Sequence, residues 1–314
     1  MISKTALLCA LARAAYTHGY NKNNREKIFE DEFALDFLSL KDYRNAYKFA
    51  KELFPATKFP TKNLLDEYFL PIVLPRNRFA EDIVYEKQRT GDVQYVLLGA
   101  GLDSFALRNK SKNVDVFELD LYETQVFKID RMRTLFQKKR PKIHFVEIDF
   151  NKDSISERLA NARFNPKVRS VFSILGVSYY IPIDIFFKTV SLISQIAAPG
   201  SGLVFDYYEK ENSFAPTLTK LARLKQIAAD CGEIMADGYD PGEVAERVKK
   251  AGFKSCQDLS PQDIDNAYFK DSPGLSAFEG VHLVYARKLA IEMNHSHGEM
   301  QHDFMQHDHS MHHH

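Results

Sequence analysis

Two glycines in a short turn, and an acidic residue at the end of the next predicted strand, are the groups in this chain that most directly suggest chemistry. Residues 93–98 are mostly β-branched or large apolar residues, typical of a buried strand, and Gly99 and Gly101 follow them. Glycine lets the backbone turn tightly and approach a ligand that a Cβ would block. A second predicted strand, 114–120, ends in Asp120, about 19 residues after Gly101. A carboxylate at this spacing reaches ribose hydroxyls, so the pair predicts a nucleoside cofactor.

The residues after the two glycines indicate which cofactor. A dinucleotide fold expects a third glycine, and Ser104 stands in its place. Asp103 adds an acid that would repel a phosphate but could accept hydrogen bonds from a cationic ligand. S-adenosyl-L-methionine carries an amino group and a sulfonium and has no phosphate. The loop, with further acids at Asp120 and Asp149, therefore favours a methyl donor, and NAD-dependent oxidoreduction is the less favoured alternative.

The elements that must position this loop are predicted from hydrophobic periodicity. Residues 1–89 show helical spacing throughout and predict an N-terminal helical cap, in which 76–82 open a helix directly before the glycine strand. Residues 90–290 alternate strands with helices and carry an insertion at 212–239. The predicted strands span 93–98, 114–120, 142–150, 168–175, 203–207, 254–259 and 280–287. This alternation predicts an α/β fold with a doubly wound, seven-stranded, mostly parallel sheet.

Composition limits the partners and the compartment. The chain has 314 residues, and 42 basic residues balance 42 acidic ones, so a nucleic-acid partner is not expected. Its three cysteines are widely spaced, which fits a reduced, cytoplasmic protein without a cysteine metal site. The apolar run 6–12 is closed by Arg13, which favours an amphipathic helix over a secretory signal. No stretch approaches the ~18 apolar residues of a membrane span, so no membrane contact is expected.

The C-terminal segment, 291–314, differs from the rest of the chain. It contains eight of the 11 histidines, among Met, Asp, Gln and Ser, and shows no apolar periodicity. We expect this tail to be disordered. Histidine binds zinc, nickel or copper, so the tail could hold metal, although incidental binding is favoured over a dedicated metal function.

The loop and the second strand resemble the leucine carboxyl methyltransferase family. The resemblance rests first on Gly99 to Arg108 and on 117–120 and extends over most of 5–287. Further matching positions are Thr5-Ala6, Arg13-Ala14, 76–79, Asp149-Phe150, 198–201, Gly232-Glu233, Asp240-Pro241 and Ala286-Arg287. The resemblance implies a Rossmann-like class I methyltransferase fold and, among bacterial members, an S-adenosyl-L-methionine-dependent O-methyltransferase.

The resemblance also implies roles for the residues around the nucleoside. Gly99 and Gly101 would lie against the cofactor, and Asp120 would hold the ribose hydroxyls. Asp149 would accept a hydrogen bond from the adenine amino group, and the ring of Phe150 would pack on the adenine face.

At the amino-acid end of the cofactor, the resemblance assigns Arg76 to the methionine carboxylate, with Arg13 assisting nearby. Tyr180 follows the fourth predicted strand, where the acceptor usually sits in this architecture, and is the candidate substrate residue. Leu175 departs from the family, which carries a glutamate at this position. Asp103 or another acid would compensate for the lost carboxylate, or else cofactor affinity or catalysis would be reduced.

Two functional hypotheses follow. The first is an O-methyltransferase that acts on a carboxylate, which needs no base, or on a hydroxyl, which does, of a small molecule or peptide. No base is evident in the sequence, since His144 and His282 lie on predicted strands and are expected to be structural. The second hypothesis is a catalytically drifted relative that binds a nucleoside and uses its histidine-rich tail to bind metal.

Overall fold

One seven-stranded sheet organises the chain. The computed structural model describes residues 2–19, 27–150, 152–210 and 219–289. The strands are β1 (Val93–Leu98), β2 (Val114–Asp120), β3 (Ile143–Glu147), β4 (Ser170–Ile174), β5 (Gly202–Tyr208), β6 (Ser255–Leu259) and β7 (Val281–Arg287). Their spatial order is β3-β2-β1-β4-β5-β7-β6. The predicted seven strands are confirmed.

The pairing of the strands confirms a doubly wound, mostly parallel sheet. β1 pairs in parallel with both β2 and β4, so the chain reverses its direction of winding at β1. The pairs β2–β3 and β4–β5 are also parallel, whereas β7 runs antiparallel to β5 and to β6. In open sheets of this kind, ligands bind outside the carboxyl ends of the strands at the point where the order reverses.

Helices cover both faces of the sheet. They are α1 (Lys4–Gly19), α2 (Leu40–Leu53), α3 (Pro60–Leu64), α4 (Leu70–Gln88), α5 (Phe105–Arg108), α6 (Tyr122–Lys139), α7 (Ile155–Asn161), α8 (Ile183–Ile196), α9 (Thr219–Asp230), α10 (Pro241–Lys250) and α11 (Pro261–Ile264). Short 3₁₀ turns occur at Ala34–Phe37 and Ser178–Tyr180, and π-helical turns at Leu65–Phe69 and Asp265–Phe269. In the described part of the segment before β1, 2–19 and 27–89, no residue lies in a strand.

The prediction that a helix opens at 76–82 is wrong, because α4 already begins at Leu70. Pro71 lies in the first turn, where its missing N–H costs nothing, but Pro75 lies inside the helix and removes one backbone hydrogen bond. Burial of apolar side chains such as Ile72 and Leu74 offsets that loss. The consequence for function is that Arg76 sits in the middle of a buried helix and not at a helix start.

The alternation of side chains along β1 connects the two halves of the core. Tyr95 and Leu97 pack on the face covered by α1 and α4, whereas Val96 and Leu98 pack on the face covered by α7, α8 and α10. All six residues of the strand are buried, as expected for a central strand of a parallel sheet covered on both faces. The carboxyl end of β1 is therefore packed on both faces.

The structure describes the N-terminal helix but not the C-terminal tail. α1 forms where the amphipathic helix was predicted, and the histidine-rich tail lies outside the described residues. Among the described residues, no helix is both long and apolar enough to span a membrane.

His282 on β7 gives the fold a predicted pH dependence. Its ring nitrogens contact Asp258 at 2.8 Å and Glu209 at 2.7 Å. Burial lowers the pKa of His282, but the hydrogen bonds and charges of Asp258 and Glu209 outweigh burial, and the net pKa is raised above 6.5. The stabilisation is therefore fully present below the unfolded pKa of ~6.5 and is lost as the pH rises through the folded pKa. We expect the stability advantage of the wild type over His282→Gln to be largest below about pH 6.5 and to shrink as the pH rises above it, as measured by denaturant unfolding over a series of pH values.

The matched control for this prediction is His144→Gln. His144 stacks on Phe117, with ring centroids 4.4 Å apart, and has no carboxylate partner among the residues the structure describes. Its substitution removes a ring contact but no ion pair, so it shows how much stability the loss of an imidazole ring alone costs. An advantage of His282 that grows with pH would contradict the assignment of a charged, ion-paired imidazole.

Candidate functional site

A cavity of about 320 Å³ lies at the carboxyl ends of β1, β2 and β4, beneath α1 and α4. Its volume falls within the ~300–1,000 Å³ typical of small-ligand sites. Seven of the nine predicted site residues line it: Arg13, Arg76, Gly99, Gly101, Asp103, Asp120 and Tyr180. We call this space the main cavity.

The glycine loop after β1 forms one wall of the main cavity. Gly99 and Gly101 have φ angles of +71° and +51°, in the left-handed region that other residues avoid. A Cβ on Gly99 would lie 2.6 Å from Cγ2 of Val177, closer than real contacts allow. Glycine is therefore required at Gly99 both by the backbone and by the approach of the segment after β4.

Asp120 ties the glycine loop to the end of β2. Its Oδ2 accepts a hydrogen bond from the Gly101 N–H at 2.7 Å, and its Oδ1 accepts from the Leu121 N–H at 2.7 Å. A carboxylate offers about four acceptor sites, so each oxygen keeps one for a ligand. Asp120 is thus placed both to shape the loop and to accept hydroxyl groups.

Asp103 and Arg13 hold the loop from the other side. Oδ1 of Asp103 accepts from the Phe105 N–H at 2.7 Å, which fixes the turn before α5. Arg13 donates to the Leu102 carbonyl at 2.5 Å and pairs with the buried Asp31 at 2.8 Å. Burial raises the pKa of Asp31, but the positive charges of Arg13 and Arg108 outweigh the effect of burial. The net pKa of Asp31 is therefore below its usual value. Arg13 therefore braces the loop as well as lining the cavity.

Arg76 is buried at the far side of the main cavity. Its Nη1 lies 3.2 Å from Oδ2 of Asp206, and its Nη2 lies 3.7 Å from Sγ of Cys9. Its Nε is buried without a hydrogen-bond partner in the part of the chain that the structure describes. Burial lowers the pKa of Arg76, but the negative charge of Asp206 outweighs burial and raises it, so the guanidinium stays charged.

Asp206 was not predicted as a site residue. It is fully buried on β5, where it accepts hydrogen bonds from the Gly176 N–H at 2.7 Å and the Tyr179 hydroxyl at 2.8 Å as well as pairing with Arg76. The sequence did contain a signal for Asp206, since it is the acidic residue in a strand made otherwise of glycine, apolar and aromatic residues. Leu175 also lines the main cavity. Asp206 accepts a hydrogen bond from the N–H of Gly176, the residue that follows Leu175.

Asp149 and Phe150 follow β3 at the same edge of the sheet but do not line the main cavity. Asp149 pairs with Lys152 at 2.7 Å, and the side chain of Phe150 is 38% exposed. The Ile148 N–H donates to the carbonyl of Asp120 at 3.0 Å, which keeps this segment next to the end of β2. The contacts of Asp149 and Phe150 with adenine remain predictions.

Tyr180 belongs to a polar cluster that the sequence did not assign to the site. The carboxylate of Glu233, after α9, accepts from the Ser3 hydroxyl at 2.6 Å and from the Thr5 hydroxyl at 2.5 Å. The Tyr180 side chain lies beside Thr5 and Glu233, and burial raises its pKa well above the usual value. All four residues line the main cavity. Glu233 occurs in a family-like dipeptide, but only the fold brings it opposite the N-terminus.

Glu118 lies on β2, two residues before Asp120, and does not line the main cavity. Its Oε2 pairs with Lys128 at 2.5 Å, and both side chains are buried. Burial raises the pKa of Glu118 to about 7. Glu118 and Lys128 thus form a buried pair within the fold, outside the main cavity.

Gly176 gives a test of the position of Arg76. Its φ is +70°, and a Cβ there would lie 2.7 Å from Nη1 of Arg76. We expect Gly176→Ala to cost ~1–2 kcal/mol of stability from the backbone and to weaken binding of the cavity's ligand about tenfold, because the guanidinium is displaced. Denaturant unfolding and calorimetric titration measure the two effects.

Gly274→Ala is the matched control for Gly176→Ala. Gly274 has a φ of +84° with no atom within 4 Å of an added Cβ. It should lose similar stability and keep full ligand affinity. Equal ligand affinity in both variants would show that Arg76 does not contribute to binding.

This chain is similar in sequence to known methyltransferases. The leucine carboxyl methyltransferase family profile matches residues 6–194. YktD of Bacillus subtilis, named as an S-adenosyl-L-methionine-dependent methyltransferase, is 30% identical over 305 residues, covering 91% of this chain and 98% of YktD. The similarly named Rv0830 of Mycobacterium tuberculosis is 29% identical over 141 residues, covering 45% of this chain and 46% of that protein.

Solved structures share the fold at lower identity. A crystal structure of a methyltransferase from Thermobifida fusca superposes with a TM-score of 0.55 at 14% identity, covering 92% of this chain and 96% of that one. A DUF574 family protein from Streptomyces avermitilis superposes with a TM-score of 0.50 at 12% identity, covering 90% and 97%. These likenesses support the predicted fold class.

Proposed function

This chain belongs to the leucine carboxyl methyltransferase family, and we propose that its main cavity binds S-adenosyl-L-methionine for methyl transfer to an oxygen of a small molecule or peptide. The chain is an S-adenosyl-L-methionine-dependent methyltransferase, as its relative YktD is named. The observation that carries the proposal is the convergence of the glycine loop, Asp120 and Arg76 on one cavity.

The residues present fit this cofactor. The Nε of Arg76, which has no hydrogen-bond partner among the described residues, offers a charged donor that a carboxylate would satisfy, and Asp120 keeps acceptor sites that ribose hydroxyls would fill. A pyrophosphate would meet Asp103 and Asp120, and the third-glycine position is occupied by Ser104, which is buried and donates to Asp31. The donor set therefore supports a nucleoside with an amino-acid tail over a dinucleotide.

The bound cofactor supplies an electrophilic methyl group on a sulfonium. The chain's own residues would hold the ribose through Asp120 and the carboxylate through Arg76, which fixes the cofactor at both ends. Alignment of the acceptor with the methyl group is the main requirement of such a displacement. The acceptor oxygen approaches from the side of Tyr180 in this proposal, because that residue lines the main cavity after β4.

Calorimetric titration tests the proposal. We expect S-adenosyl-L-methionine and S-adenosyl-L-homocysteine to bind with dissociation constants below about 1 mM, and NAD to bind far more weakly. Absence of binding at millimolar donor would refute the cofactor assignment. Label transfer from methyl-labelled donor to alcohols, carboxylates or peptides would then separate an enzyme from a binding protein without activity.

A further inference from the structure

A small chamber adjoins the main cavity and is lined largely by apolar side chains. It has a volume of about 60 Å³ and shares with the main cavity Thr5, Cys9, Arg76, Gly176 and Tyr180. Its remaining walls come from α9 and from six other side chains: Tyr68, Phe69, Ile72, Val73, Tyr179 and Met235. We call it the side chamber, and its position beside Tyr180 makes it the space into which an acceptor would extend.

The one cationic side chain among the described residues that line the side chamber is already engaged, so it is not available to an acceptor carboxylate. This side chain is Arg76, and its guanidinium already faces Asp206. In the proposed function the Nε of Arg76 donates to the carboxylate of the cofactor. An ionised acceptor entering this apolar space would be buried without a partner, which costs several kcal/mol.

A carboxylate that could take up a proton stands one hydrogen bond from the chamber. Thr5 lines both spaces, and its hydroxyl donates to Oε2 of Glu233 at 2.5 Å. A carboxylate acceptor needs no base, whereas a hydroxyl acceptor must lose a proton during transfer. The arrangement of Thr5 and Glu233 is therefore useful for a hydroxyl and unnecessary for a carboxylate.

We propose, resting on the proposed function, that the methyl acceptor is an uncharged alcohol with a short aliphatic end, and that Glu233 is the base that receives its proton through Thr5. The chamber is smaller than the ~150 Å³ cavity that holds benzene, which favours a short branched chain over a ring or a peptide. The acceptor oxygen forms the new C–O bond as the C–S bond breaks, and the electron pair of that bond stays on sulfur. The acceptor proton passes to Oγ of Thr5 while the hydroxyl proton of Thr5 passes to Glu233.

Binding of a matched pair of probes tests the acceptor class. Protein loaded with S-adenosyl-L-homocysteine is titrated with 3-methylbutan-1-ol and with 3-methylbutanoate, followed by saturation-transfer NMR. We expect the alcohol to bind at least tenfold more tightly than the carboxylate. Equal or tighter binding of the carboxylate, or no binding of the alcohol, overturns the proposal.

Variants of α9 locate the bound alcohol. Ala228 is buried and lines the side chamber, whereas its neighbour Ala229 is exposed. Ala228→Leu should weaken alcohol binding at least tenfold, and Ala229→Leu should leave it unchanged. Met235→Trp fills the same chamber from a different segment and serves if Ala228→Leu does not fold. Unchanged alcohol binding in the folded chamber variants overturns the proposal.

The role of Glu233 is tested by transfer to the alcohol. Glu233→Gln and Thr5→Val should each lower kcat by about 10²–10⁴-fold, whereas Thr5→Ser should retain most of it. The acidic limb of the kcat–pH profile should disappear in Glu233→Gln, which a purely structural role would not cause. Rates are compared at saturating S-adenosyl-L-methionine, so that a change in cofactor affinity does not enter kcat. Wild-type rates in Thr5→Val, or no transfer to any alcohol that binds, overturn the assignment.

These outcomes are distinguishable from failure of the proposed function. Absence of S-adenosyl-L-homocysteine binding to the wild type would refute the proposed function, and the inference would fall with it. Cofactor binding with preference for the carboxylate would refute the inference alone.

Discussion

Asp120→Asn should weaken binding of S-adenosyl-L-methionine about 100-fold, or about 2.7 kcal/mol. Both oxygens of Asp120 accept backbone N–H groups, from Gly101 and from Leu121. An amide has one acceptor oxygen, so its NH₂ group would face one of these donors, and the glycine loop would lose its tie to β2. The same change removes a charged acceptor for the ribose hydroxyls. Isothermal titration calorimetry with the cofactor measures the loss.

Asp115→Asn is the control for this effect. Asp115 lies on the same strand, β2, where it pairs with the exposed Lys142 at 2.5 Å, away from the main cavity. Exposed pairs contribute ~0–1 kcal/mol, so this variant should bind the cofactor as the wild type does. An Asp120→Asn protein of unchanged affinity would show that the ribose lies elsewhere.

Asp206→Ala should lower the free energy of unfolding by about 3–5 kcal/mol. Asp206 is fully buried and accepts from Arg76, from the Gly176 N–H and from the Tyr179 hydroxyl. Its removal leaves the buried guanidinium without a counter-charge and two further donors without acceptors. Urea or guanidinium denaturation measures the change.

Two controls distinguish the effect of the buried Arg76–Asp206 pair from that of an exposed ion pair. Arg78 and Asp82 form an exposed pair at 2.8 Å on the same helix, α4, and Asp82→Ala should cost less than ~1 kcal/mol. The double variant Arg76→Met with Asp206→Leu should recover much of the stability lost in Asp206→Ala, because no charge is left unpaired. It should nevertheless fail to bind the cofactor tightly. A loss below ~1 kcal/mol in Asp206→Ala would contradict a role for this pair in stability.

Several features could be predicted from sequence because they are local. The apolar run 93–98, the glycines after it and Asp120 at the end of the next strand are close neighbours in the chain. Strand and helix periodicity act over similar distances, so all seven strands were predicted, with boundaries shifted by a few residues. The start of α4 was predicted wrongly because Pro75 normally ends a helix, and burial of the surrounding apolar residues overrides that tendency.

The sequence by itself therefore determined the fold class, the glycine loop and the carboxylate beside it. The tertiary structure alone decided which distant residues complete the site. Arg76 meets Asp206 across 130 positions, and Glu233 meets Ser3 across 230. Helix and strand patterns carry no information about such partners, since these contacts depend on how the helical cap packs against the carboxyl edge of the sheet. That packing sets the pairing of Arg76 and places a carboxylate beside the space where an acceptor would bind.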